Sequence, residues 1–210
     1  MQHLWRLSDE LTNLISDAGD VVLVQQVSPE NSPGNTSLNI YRFGLDGELK
    51  LSEKLFDTLG MDIQASTRLL KNTEGAYFLL ARTGRTVRSD NNTLFKIDPI
   101  QGLSILVDVG RGESDMFIAN GDVDSNGTDL ILVSNSNPLQ RERDGASRKG
   151  LLRLTPQGIL TSFLRLPRDF ESGLSLENIL VDGSDYLVAV CNNFSGGRPN
   201  DCTLYRISPR

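Results

Sequence analysis

Long apolar runs are missing from this chain, and so are sustained helical periodicity, an excess of basic residues and more than one histidine. No apolar stretch approaches the roughly 20 residues that cross a bilayer, which excludes insertion by a membrane helix. The start, Met1-Gln2-His3-Leu4-Trp5-Arg6, has no charged segment followed by an apolar one, so no signal peptide is visible. A mature secreted form given a new initiator Met would read the same. Lys and Arg total 21 against 27 Asp and Glu, for a net charge of −6. That balance argues against a nucleic-acid partner, which normally calls for a basic domain. Two cysteines and one histidine do not make the usual four-ligand zinc cage. His3, beside the terminus, also weakens any Ser-His-Asp or Cys-His mechanism. There is no Gly-x-Ser-x-Gly elbow, no glycine loop of the phosphate-cradling kind and no dinucleotide fingerprint.

What is present is short and repeated. Apolar residues come in runs such as Val21-Val22-Leu23-Val24 and Tyr77-Phe78-Leu79-Leu80-Ala81, which read as strands. The 19 glycines, with many Asn, Asp and Ser, fit a fold rich in tight turns. Four segments share an apolar residue, a base and a second apolar residue: Tyr41-Arg42-Phe43, Phe95-Lys96-Ile97, Leu152-Arg153-Leu154 and Tyr205-Arg206-Ile207. Positions 41, 95, 152 and 205 are 54, 57 and 53 apart. Upstream of each lies a strand, a turn and a second strand, as in Leu176 to Val188 and Leu11 to Leu23. The third copy runs through Ile118-Ala119-Asn120, and the second, beginning at Arg68, is looser. Each unit therefore holds four strands, a to d. A fixed period of this size is the signature of a repeat architecture.

The expected fold is all-β, a single β-propeller domain over 1–210 with four blades of four antiparallel strands. The repeats fall at about 10–56, 62–109, 114–167 and 173–210. The last unit ends without a strand d, while Leu4-Trp5-Arg6-Leu7-Ser8 resembles the d strand Phe163-Leu164-Arg165-Leu166-Pro167. Residues 3–8 are therefore expected to complete the last blade and close the ring, which removes exposed sheet edges. The alternative is a fragment of a six- or seven-bladed propeller. The repeat pattern, apolar-Val-Asp-x-x-Gly before one strand and Leu-x-Arg-Ile-x-Pro-x-Gly after the next, resembles NHL-type and gluconolactonase-type propellers. The resemblance rests on turn and core positions and so implies a fold more than an activity. Some gluconolactonase-type members are metal-dependent hydrolases with Glu, Asn and Asp around the channel. Here only Asn at one position of strand a matches, and no Glu ligand falls into place.

Three sets of residues stand out. Asp122, Asp124, Asn126 and Asp129, with Gly127 between them, resemble the start of a calcium loop, because alternating oxygen donors and a glycine bend can build a compact oxygen cage. The likeness is closest to the calcium loops of integrin-type propellers. The competing reading is a polar a–b hairpin like Asp17-Ala18-Gly19-Asp20 and Asp182-Gly183-Ser184-Asp185. Cys191 and Cys202 flank one loop and could face each other across strands b and c. A bridge would imply an oxidising compartment, and two thiols a cytosolic one. Asn13, Asn120 and Asn178 occupy matching places on strand a, where they could bind a polar ligand or satisfy neighbouring backbone groups.

Blade topology points to one face. The b–c loops, Ser28 to Ser37, Thr83 to Asn92, Asn135 to Lys149 and Asn192 to Asp201, are long and carry Arg85, Arg88, Arg141, Arg143, Lys149 and Arg198. Long polar loops on a rigid scaffold are where binding usually resides. The expected function is a non-enzymatic binding module that presents this face to a protein or a polar small molecule. The runner-up is a metal-dependent hydrolase of the lactonase kind at the channel mouth. Calcium is the one cofactor the sequence suggests.

Overall fold

The structure, a computed structural model, describes residues 12–27, 37–55, 63–83, 92–98, 102–107, 118–134, 149–166, 174–192 and 202–209. Short apolar runs bounded by turn residues make the strands, the second strand of a blade being buried on both faces, as in Leu130–Ser134, and polar turns fold successive strands back on one another. Blade 1 is β1 (Thr12–Asp17), β2 (Asp20–Val27), β3 (Ser37–Gly44) and β4 (Leu49–Leu55), hydrogen-bonded in that order. Blade 2 is β5 (Ile63–Lys71), β6 (Tyr77–Thr83), β7 (Asn92–Asp98) and β8 (Gly102–Val107). Blade 3 is β9 (Ile118–Val123), β10 (Leu130–Ser134), β11 (Gly150–Leu154) and β12 (Leu160–Arg165). Blade 4 is β13 (Leu174–Asp182), β14 (Asp185–Asn192) and β15 (Cys202–Ile207). All pairings are antiparallel. The chain is an all-β, four-bladed β-propeller, as its repeat implies. Residues 3–8, expected to add a fourth strand to blade 4, lie outside the described residues.

The first strands β1, β5, β9 and β13 are the ones that meet from blade to blade, so they line the channel. Three apolar cores fill the seams. Val24, Leu38, Ile40, Leu69, Leu79 and Phe95 join blades 1 and 2. Leu70, Leu80, Leu94, Ile118, Leu132 and Leu152 join blades 2 and 3. Ile131, Leu151, Leu176, Ile179, Tyr186 and Val188 join blades 3 and 4. Burying a side chain of this size contributes about 1.5–3 kcal/mol, so these seams dominate the fold's stability. Because strand residues alternate faces, each blade offers one apolar set to the blade before it and another to the blade after it.

Polar backbone contacts reinforce the middle seam. Thr73 donates from both its backbone N–H and its hydroxyl to the carbonyl of Gly127, each at 2.8 Å. Gly127 has φ +75°, and a Cβ there would lie 2.7 Å from the Thr73 methyl. Only glycine permits both that backbone conformation and that approach.

Candidate functional site

In three of the four repeated segments the central base, Arg42, Arg153 or Arg206, clasps the carboxylates at the a–b end of its blade. In blade 1, Asp17 and Asp20 close the β1–β2 hairpin opposite each other. Arg42 Nε donates to Asp20 Oδ2 at 2.7 Å and its Nη2 lies 3.3 Å from Asp17 Oδ2, while Lys50 Nζ donates to Asp20 Oδ1 at 2.6 Å. From blade 2, Lys71 and Tyr77 both donate to Asp17, locking the two blades together. Blade 3 repeats the device. Arg153 Nε donates to Asp129 Oδ2 at 3.0 Å and forms an ion pair with Asp124 Oδ2 at 2.7 Å. Tyr186 of blade 4 donates to Asp124 Oδ1 at 2.9 Å. In blade 4, Arg206 holds Asp182 and Asp185, each at 2.9 Å. Blade 2 has Asn72 in place of the first acid. Its amide accepts from Ala76 N–H at 2.9 Å and donates to the Thr128 carbonyl of blade 3 at 3.3 Å.

These clasps shift titrations. Burial pulls the Asp17 carboxyl up, but the hydrogen bonds from Lys71 and Tyr77 outweigh it, and the group sits below its usual range. Lys50 and Arg42 hold Asp20 below its usual range as well, and Ser208 and Arg206 do the same for Asp185. Burial, then the bonded carboxylate, pushes Tyr77 to about 12, through Asp17, and Tyr186 to about 12, through Asp124.

The Asp122 to Asp129 hairpin is one of these clasps, and its donors do not fit calcium as they stand. Asp122 turns away toward blade 4, where its Oδ2 accepts from Val181 N–H at 3.0 Å. Asn126 Oδ1 accepts from the N–H groups of Thr128 and Asp129 at 3.0 and 2.9 Å. Asp124 and Asp129 face the Arg153 guanidinium, so the positive charge of this loop is a side chain. Among the described residues no three His, Cys, Asp or Glu side chains converge as a metal site.

Counting back four residues from the first hairpin position of each blade (17, 72, 124 and 182) gives Asn13, Arg68, Asn120 and Asn178. These occupy one level of the channel-lining strands, and Arg68 is the member the sequence reading missed. Its guanidinium reaches past its own blade, donating from Nη1 to Asn178 Oδ1 at 3.2 Å and placing Nη2 3.7 Å from Asp122 Oδ1. Asn120 and Asn178 each accept from the following backbone N–H, of Gly121 and Ile179, at 2.8 Å. Using the side-chain oxygen in this way leaves both amide NH₂ groups as donors, without a partner among the described residues. The level lies four residues back from the a–b hairpins, two or three residues into β1 and β9 and at the middle of β13.

Of the other singled-out residues, Arg85, Arg88, Arg141, Arg143 and Arg198 lie outside the described residues. Lys149, at the edge of the third b–c loop, is buried instead of being presented to solvent, and burial lowers its pKa. Cys191 and Cys202 pair directly in the β14–β15 ladder and are bridged, with Cα atoms 4.1 Å apart.

No protein-family model matches this chain, and no curated protein matches it in sequence. Its fold is similar to solved structures at 10–12% identity. One is an acylaminoacyl peptidase from Pyrococcus horikoshii, matched at TM-score 0.52 over 95% of this chain and 31% of that one, at 11% identity. Another is the β-propeller domain of the Trilobed protease from Pyrococcus furiosus, at TM-score 0.50 and 10% identity over 95% of this chain and 56% of that one. A third is an endo-arabinase from Bacteroides thetaiotaomicron, at TM-score 0.53 and 12% identity over all of this chain and 79% of that one. The chain thus spans about a third to a half of the first two. Likeness at this identity shows that the chain has a β-propeller fold.

Proposed function

We propose that this protein is a non-enzymatic binding module whose channel mouth, on the b–c side, holds a polar ligand rich in acceptor oxygens, with a carboxylate as its best-matched group. The carrying observation is the donor-rich level of the channel, where Arg68 and the NH₂ groups of Asn120 and Asn178 share equivalent places on adjoining strands. An arginine presents five donors in a planar fork that suits a carboxylate. Amides at the same level extend that set to hydroxyl or carbonyl oxygens. The likeness of the repeat to NHL-type and gluconolactonase-type propellers supports a scaffold that works at its channel mouth. The Cys191–Cys202 bridge supports an oxidising compartment, where a disulfide persists.

Calorimetric titration with galacturonate, acetate and inorganic phosphate tests the reading. Saturable binding of a carboxylate by the full chain, weakened at least tenfold by Arg68→Met with an unchanged melting temperature, is the expected result. Equal affinity in the variant, or no heat with any of the three probes, would contradict it.

A further inference from the structure

We infer that the ligand of the channel level is a zwitterion of the α-amino acid kind, with its carboxylate on Arg68 and its ammonium on Asp122. The inference rests on the binding site proposed above and names its ligand class. The repeat singles out this pair. Two residues before the first hairpin position, blades 1, 2 and 4 carry Ile15, Leu70 and Leu180, whereas blade 3 carries Asp122. Four residues before it, blades 1, 3 and 4 carry asparagine, whereas blade 2 carries Arg68. An acid thus stands where the other blades have an apolar residue, and a base where they have an amide. The fold brings these two departures together, with Arg68 Nη2 3.7 Å from Asp122 Oδ1.

Neither group is used up by the other. At 3.7 Å the contact is an ion pair beyond hydrogen-bond reach. Arg68 gives one of its several donors to Asn178. Asp122 accepts the N–H groups of Val123 and Val181, one on each oxygen, at 2.9 and 3.0 Å. A carboxylate has about four acceptor positions, so that use leaves some over. Both side chains keep a share of their surface in solvent, 27% for Arg68 and 18% for Asp122. Asn120 lies two residues before Asp122 on β9, hence on the same face of the strand, and its NH₂ adds a donor there.

The paired charges select the ligand. A plain carboxylate that approaches Arg68 also approaches Asp122, and the like charges repel; a plain amine meets Arg68 in the same way. An α-amino acid carries both charges on one carbon, side by side as Arg68 and Asp122 are, so each meets its opposite.

Calorimetric titration of the full chain with glycine, acetate, N-acetylglycine and glycine methyl ester tests this. Glycine should bind about tenfold tighter than each of the others, the effect of one further hydrogen bond to a charged group. Asp122→Asn should erase that preference and retain acetate binding, while Arg68→Met should weaken acetate and glycine alike. The ligand series reads the preference in the unaltered protein, so the test stands even where Asp122→Asn disturbs the seam with blade 4. Arg68-dependent acetate binding with glycine no tighter would overturn the zwitterion and leave the proposed site standing. No heat with any of the four probes would overturn both. A glycine preference that survives in folded Asp122→Asn protein would place the ammonium elsewhere and overturn the inference.

Discussion

At the scale of single residues, the carboxylates of the a–b hairpins are where the chemistry concentrates. Asp124 is buried and receives Tyr186 OH, Ser125 N–H and the Arg153 ion pair. Removing one donor from a buried charged group costs about 1–3 kcal/mol. Tyr186→Phe should therefore lower unfolding free energy by that amount in denaturant titration, and a loss under about 0.5 kcal/mol would mean the clasp is incidental. Both halves of the device are visible in the sequence, the turns bounded by two Asp residues (17/20, 124/129 and 182/185) and the Arg42, Arg153 and Arg206 repeat. Their connection is not visible, because it depends on strand c lying beside the hairpin of strands a and b. Arg68 was hidden for a related reason. An arginine breaks a pattern of asparagines, and only the fixed distance back to Asn72 restores the equivalence.

At the scale of elements, the sequence gives strands readily because their runs are short, apolar and bounded by turn residues. The Asp122–Asp129 turn has a donor spacing that suits calcium, and in the structure its Asp124 and Asp129 carboxylates face Arg153. Melting temperatures in excess calcium and in chelator should accordingly coincide. A calcium-dependent rise equivalent to about 2.7 kcal/mol at 100 times a dissociation constant would show that Arg153 yields to the ion. The β14–β15 bridge is legible from position alone, since two cysteines flanking one hairpin loop can fall opposite each other in register. Its short loop contributes about 2–3 kcal/mol in the loop-entropy model. The looser second repeat reflects chemistry: blade 2 replaces the first acid with Asn72 and ties itself to blade 3 through backbone groups around Gly127.

At the scale of the whole molecule, the fold class is legible because a repeat of near-constant period must stack like on like. The seams are legible only as alternation. Which face of a strand meets which neighbour depends on the ring geometry. The clasps also set how stability depends on pH. Asp17, Asp20 and Asp185 have lowered folded-state pKa values, so their contribution is present above the usual carboxylate value of about 4 and is lost as acid protonates the folded state. Tyr77 and Tyr186, at about 12, contribute fully below the usual tyrosine value of about 10 and lose that contribution as pH rises from there to about 12. A Tyr77→Phe/Tyr186→Phe double variant should show a shallower alkaline fall in stability. Identical alkaline limbs would place the effect elsewhere.

The central claim is that the channel level of Arg68, Asn120 and Asn178 is a binding site, and side-chain nuclear magnetic resonance reads it directly. Titrating galacturonate into ¹⁵N-labelled protein should shift the Asn120 and Asn178 NH₂ signals and the Arg68 Nε–H signal together, along one saturable curve. Saturable shifts confined to residues of the a–b hairpins, or no shift of these three side chains at millimolar ligand, would contradict it.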